Sequence, residues 1–202
     1  MTITVTTDYP VHEFIASRWS PYAFDEKPVE QEDLLSLFEA ARWAPSSYNE
    51  QPWHYIVATK ENTDEFELLV SCLVEGNQAW AKSAPVLALG ITRLNFAYNN
   101  KPNRAAIHDL GLAAGTLLFE ATARGLCVHQ MIGILPDKAR KIYAIPEGYE
   151  VMTGIAIGYA GNPDSLPDDI KERDAARRPR KPLSEFIFSG RWGSKSPLVR
   201  KY

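Results

Sequence analysis

The chain has 202 residues, 45% of them hydrophobic and 23% charged, which suits one soluble globular domain with a full core. Its formal net charge of −3 argues against a general nucleic-acid binder. Cys72 and Cys127 sit in apolar stretches with no Cys-x-x-Cys spacing, so free buried thiols in a reducing cytoplasm are expected rather than a disulfide. The opening Met-Thr-Ile-Thr-Val-Thr-Thr-Asp lacks a basic start and a long apolar run, so neither a signal peptide nor a membrane span is expected. Residues 1–10 and 194–202 read as peripheral tails of a single domain spanning 1–202.

In chain order, His12 to Ser17 reads as a short helix running into Arg18-Trp19-Ser20-Pro21-Tyr22. Arg18 and Ser20 are either a surface charge and a turn residue, or a charged fork and a hydroxyl offered to one polar ligand. From Val29 to Trp43, Leu34, Leu35, Leu37, Phe38 and Ala41 recur at helical spacing, and Glu30, Glu32 and Asp33 favour the start. Pro45 stops this helix, because it lacks an N–H and disfavours the α region at residue 44. Ser46, Ser47, Asn49 and Gln51 then gather polar groups between Trp43 and Trp53. That loop is either a surface turn bonded to its own backbone or a cradle for a flat, polar-edged aromatic ligand.

Trp53 to Thr59 is a strand by its β-branched and aromatic content. His54 has no second ligand at metal-binding spacing, and no metal is expected. Glu61 to Glu75 reads as one helix with Gly76 as its C′ glycine, and Asn77-Gln78-Ala79-Trp80 follows. Pro85 to Ile91 has the composition of a buried strand. Asn103 to Arg124 is the longest expected helix, apolar nearly all round, with Gly111 and Gly115 thinning part of one face for another helix to approach. Leu126 to Met131 reads as a strand running into Ile132-Gly133, in which His129 is either a core histidine or catalytic. A helix over Asp137 to Ala144 and a buried strand over Val151 to Tyr159 follow. Arg173, Arg177, Arg178, Arg180 and Lys181 form a basic run without the interleaved aromatics of a single-strand binder. Leu183 to Phe188 reads as a terminal strand.

No Gly-x-Gly-x-x-Gly, nucleophile elbow, Cys–His pair or metal cluster is evident, as fits an enzyme whose reactive atoms belong to a cofactor. Pro45-Ser46-Ser47-x-Asn49-x-Gln51-Pro52-Trp53, with Arg18-x-Ser20 and Gly190-Arg191-Trp192-Gly193, resembles the FMN-dependent nitroreductase family from about residue 14 to residue 193. The resemblance implies an α+β fold with a mainly antiparallel central sheet flanked by helices. It further implies an intertwined homodimer with the C-terminal strand exchanged, FMN at the interface and NADH or NADPH as reductant. Hydride would pass through flavin N5 to a nitroaromatic or quinone-like acceptor by a ping-pong mechanism, with no side chain as obligatory acid or base. The cofactor residues it implies are Arg18, Trp19, Ser20, Tyr22, Pro45, Ser46, Ser47, Asn49, Gln51, Asn77, Gln130, Met131, Ile132, Gly133, Arg178 and Arg180. Some relatives carry basic residues where Tyr22 and Trp80 stand, so these two would either leave the flavin edge without a cation or narrow the acceptor pocket. A flavin-binding sensor or carrier without turnover, and a dehalogenase or desaturase branch of the same fold, are the alternatives.

Overall fold

The computed structural model describes residues 5–176 and 179–199. Among them, in chain order, are α1 (Glu13–Ser17), α2 (Gln31–Arg42), β1 (Trp53–Thr59), α3 (Thr63–Val70), α4 (Glu75–Ala81), β2 (Val86–Arg93), α5 (Ala106–Ala123), β3 (Cys127–Met131), α6 (Pro136–Ile142), β4 (Tyr149–Gly158) and α7 (Asp168–Ala175). The four strands form one antiparallel sheet in the order β1-β2-β4-β3, so β1 and β3 are its edges. This is the expected α+β arrangement.

Strand alternation divides the core into two layers. On one face Val86, Ala88, Val128, Ile155 and Ile157 pack under Leu37 and Ala41 of α2 and Ala113, Leu117 and Ala121 of α5. On the other, Leu87, Leu89, Ile91 and Met131 meet Phe66 and Leu69 of α3, Trp80 of α4, Ala139 of α6 and Ile170 of α7. Each fully buried leucine among these contributes about 1.5–3 kcal/mol. β2 is buried along nearly its whole length, which explains its apolar run.

The sequence departs from its local pattern in three places. The helix expected over 61–75 ends at Val70, and a second helix begins at Glu75, so Gly76 lies inside α4 rather than beyond a helix end. The break arises because Leu73 bridges Ile134 and the Val74 N–H donates to Gly133 O (3.1 Å), a tertiary pairing that displaces the next helical turn. The strand expected over 183–188 is instead a 3-10 turn at Leu183–Glu185, entered through Pro182, with Phe188 pairing back to Lys195. The polar stretch after Gly161 carries α7, for which periodicity gave no signal, and there Ile170 and Asp174 are buried. Within the tail expected to be peripheral, Ser196 is buried and its N–H donates to Ile187 O.

Candidate functional site

The loop after α2 is held by its own side chains, by Asp109 of α5 and by the backbone at Ala97. The Ser47 N–H donates to Asp109 Oδ2 of α5 (2.9 Å), and Ser46 Oγ accepts the Gln51 N–H (3.0 Å). Gln51 Nε2 donates to Asn49 O (3.2 Å), and Glu50 Oε1 accepts the Ala97 N–H. Tyr48, Asn49 and Gln51 all have positive φ (55°, 53° and 49°), a conformation that non-glycine residues seldom hold without outside support. The result is a fixed turn that leaves Pro45, Asn49 and Gln51 exposed. It lies beside β1, and Pro52 O, which accepts the Arg93 N–H (2.9 Å), ties it to the end of β2.

A second group occupies the opposite edge of the sheet. Arg18 caps the C-terminus of α1, and its Nη1 donates to Ser20 Oγ (3.2 Å). The turn continues to Tyr22, whose N–H donates to the buried Asp174 of α7 and whose ring meets His129 edge-on at 4.7 Å. His129 Nδ1 donates to Pro21 O (2.8 Å), so one ring nitrogen is satisfied as expected of a core histidine. Trp19, like Ser20, is half-buried. Burial pushes the Cys127 thiol above its ordinary pKa, against the opposing pull of a hydrogen bond to Ala160 and the nearby Arg18 charge.

The third group lies where β3 ends. Asn77 Nδ2 donates to Gly133 O (2.9 Å) and Asn77 Oδ1 accepts from Trp80 Nε1 (3.3 Å). A Cβ on Gly133 would stand 2.4 Å from Asn77 Nδ2, which explains the glycine by close approach within the protein. Met131 is buried, whereas Gln130 is exposed and Ile132 is 80% exposed at the strand end. Trp80 is 2% exposed and packs against Tyr22, Phe24 and His129. It therefore belongs to the core wall behind Tyr22 and does not narrow a pocket. His54 Nδ1 is engaged with Pro52 O (3.0 Å), and Arg42 pairs with Glu39, so both are held locally.

The structure thus joins the expected residues into two regions rather than one. Arg18, Ser20 and Tyr22 sit alongside β3, and Asn77 and Gly133 sit at its end, with Trp80 between the two groups, its ring 5.0 Å from that of Tyr22 and its Nε1 3.3 Å from Asn77 Oδ1. The Ser46–Gln51 turn lies across the sheet at β1, three strand spacings or roughly 14 Å from β3, on the side of α2 and α5. Arg180 is exposed, and Arg178 lies outside the described residues. Sequence reading missed Asp109 and Asp174, whose signal was at most an aspartate inside an apolar helix and another in a charged one.

The model of the nitroreductase family matches residues 15–159. This chain belongs to the nitroreductase family. The match takes in Arg18, Ser20, the Pro45–Trp53 turn, Asn77 and the end of β3, while Arg178 and Arg180 fall beyond it. Among solved structures, one described as the oxidoreductase containing FMN is 39% identical, with a TM-score of 0.89 and coverage of 94% of this chain and 96% of that one. A nitroreductase family protein from Clostridium difficile 630 shares the fold at 21% identity, with a TM-score of 0.67 and coverage of 88% and 96%. The "Uncharacterized 15.4 kDa protein in ask 5'region" of Mycolicibacterium smegmatis is 31% identical over 132 residues, 65% of this chain and 86% of that protein. No helix among the described residues is long and apolar enough to cross a membrane.

Proposed function

We propose that two copies of this chain form a flavin-dependent oxidoreductase that holds FMN and passes electrons from NADH or NADPH to a small aromatic acceptor, nitroaromatic or quinone-like, by a ping-pong mechanism. One observation carries the composite site: the turn at Ser46–Gln51 and the Arg18–Gly133 region lie on opposite edges of one sheet. We read a single flavin as drawing the turn from one copy and the β3 edge from the other, as the family resemblance implies. The 39% identical relative, described as an oxidoreductase containing FMN, supports the choice of cofactor.

The donor sets suit that group. Arg18, already aimed at Ser20 Oγ, offers a guanidinium fork beside a hydroxyl for a phosphate, and the family resemblance assigns Arg178 and Arg180 of the basic run to the same phosphate. At the end of β3, Asn77 retains a second amide N–H for a polar ring edge, next to the backbone of Gln130 to Gly133. From the other copy, Pro45, Asn49 and Gln51 would close over the ring, with Ser46 and Ser47 fixing the shape of the turn. When bound, the flavin supplies the two-electron chemistry. The protein's part is to orient the rings and exclude water.

The surface of α5 supports the pairing of two copies. Ile107, Leu112 and Phe119 are exposed on it, and neither Gly111 nor Gly115 has a neighbour within 4 Å of an added Cβ. An apolar, thinned helix face of this kind is stable in water when another surface covers it. Trp192, 94% exposed, and Phe186 are further exposed apolar side chains on the C-terminal segment, the part expected to reach the partner. The test is to reconstitute the purified protein with FMN, then add NADH or NADPH without oxygen. Rapid bleaching, reversed by a quinone, is the expected outcome. Flavin that binds but does not turn over would identify a carrier or sensor instead.

A further inference from the structure

Among the described residues only two charged side chains are buried, Asp109 at 2% exposure and Asp174 at 5%. They stand on different helices at opposite edges of the sheet, and each accepts one backbone N–H from a different candidate loop. Asp109 Oδ2 takes the Ser47 N–H at 2.9 Å, and Asp174 Oδ1 takes the Tyr22 N–H at 2.5 Å. We infer that Asp109 and Asp174 are positioning residues, one for each half of the composite site: Asp109 sets the turn that covers the flavin ring, and Asp174 sets the turn that presents Arg18 and Ser20 to its phosphate. The inference rests on the FMN reading above.

A carboxylate is costly to bury, and well-packed apolar residues usually stabilise such positions more. These two aspartates therefore need a role beyond filling the core, and their partners supply it. Ser47 immediately precedes Tyr48 and Asn49, the first of the three positive-φ residues, so its N–H is where the strained turn meets the rigid helix α5. Asp109 Oδ1 is also engaged, by His108 Nδ1 at 3.0 Å, which leaves Oδ2 directed at the turn. At the other edge, Tyr22 is two residues beyond Ser20, and Asp174 precedes Arg178 and Arg180 by four and six residues. The Tyr22–Asp174 bond thus fixes the Arg18 turn to the helix that leads into the basic run. The Cys127 thiol feels the charges of both Arg18 and Asp174, which brings those two groups to the same corner of the molecule.

The experiment compares the wild type with Asp109→Ala, Asp109→Asn, Asp174→Ala and Asp174→Asn. Amide hydrogen exchange is read on the flavin-free protein, and FMN and riboflavin affinities are read by fluorescence titration. Asp109→Ala is expected to speed exchange at Ser47 and to weaken FMN and riboflavin by the same factor, about tenfold or more. Asp174→Ala is expected to speed exchange at Tyr22 and to weaken FMN about tenfold while leaving riboflavin near wild type, because only FMN carries the phosphate. Each asparagine variant keeps an acceptor oxygen and should recover most of the loss. Unchanged exchange and affinities in the alanine variants would overturn the inference. So would loss of protection throughout β2 and β4 in alanine and asparagine variants alike, which marks a general folding role. If the wild type binds neither flavin, the FMN reading fails, and exchange at Ser47 and Tyr22 alone decides whether the aspartates anchor these turns.

Discussion

Replacing Gly111 and Gly115 with alanine separates a lone chain from an assembled one by the sign of the effect. Within the chain nothing lies within 4 Å of a Cβ at either position, so no contact opposes the substitution. Alanine is better than glycine inside a helix by about 0.8–1.0 kcal/mol, so the pair should stabilise a lone chain by about 2 kcal/mol. For a domain of this size that is a rise in Tm of about 4–8 °C. If α5 meets the same helix of a partner across these glycines, two methyl groups per chain enter a packed contact. Overpacking of that kind costs about 1–3 kcal/mol at each site, or about 2–6 kcal/mol for the pair, which cancels the helix gain at the low end and reverses the sign above it. The assay is sedimentation equilibrium with melting curves over a hundredfold range of protein concentration. We expect weaker association by about tenfold or more and a lower, concentration-dependent Tm. A Tm raised by the lone-chain amount with unchanged association would refute the assignment of this face to the dimer.

Replacing Arg178 and Arg180 together with alanine should weaken FMN by about two to four orders of magnitude, at about 1.5–3 kcal/mol for each charge-assisted bond, and spare riboflavin. Wild-type FMN affinity in that variant would remove the basic run from the phosphate site. Gly133→Ala puts a methyl group 2.4 Å from Asn77 Nδ2 and 2.9 Å from Val74 Cγ2. It should lower stability by about 1–3 kcal/mol in urea titration and detach Asn77 from Gly133 O. Burial raises the pKa of both the Cys72 and Cys127 thiols. Their contribution to stability is therefore full below the ordinary thiol pKa and is lost as pH rises through the folded-state values. The urea midpoint should accordingly fall on the alkaline side, and alkylation at neutral pH should be much slower in the native protein than in the unfolded one.

Elements whose burial follows from their own residues were legible in the sequence. β1 was anticipated at its observed bounds from its β-branched and aromatic content, α2 within a few residues from apolar positions at helical spacing, and α5 within a few residues as a long stretch apolar nearly all round. The break between α3 and α4 was not legible, since it depends on Leu73 and Val74 pairing with residues 133 and 134, some sixty positions away. α7 escaped because its short polar sequence buries only Ile170 and Asp174. The candidate site divides in the same way. The Pro45–Trp53 turn announces itself by its local polar and aromatic content, whereas the roles of Asp109 and Asp174 are visible only as contacts across 62 and 152 residues. Trp80 was read as either leaving the flavin edge without a cation or narrowing the acceptor pocket, and the fold surrounds it with Tyr22, Phe24 and His129.

The absorption spectrum of the purified protein after incubation with FMN and removal of unbound cofactor tests the central claim most directly. The account predicts a flavin spectrum with one FMN per chain, lost on anaerobic addition of NADH or NADPH and restored by a quinone. It also predicts that this stoichiometry fails in a variant held monomeric, because the Ser46–Gln51 turn would then have no flavin within reach. A colourless protein after reconstitution, or a monomer that binds and reduces flavin as well as the assembled protein does, would contradict it.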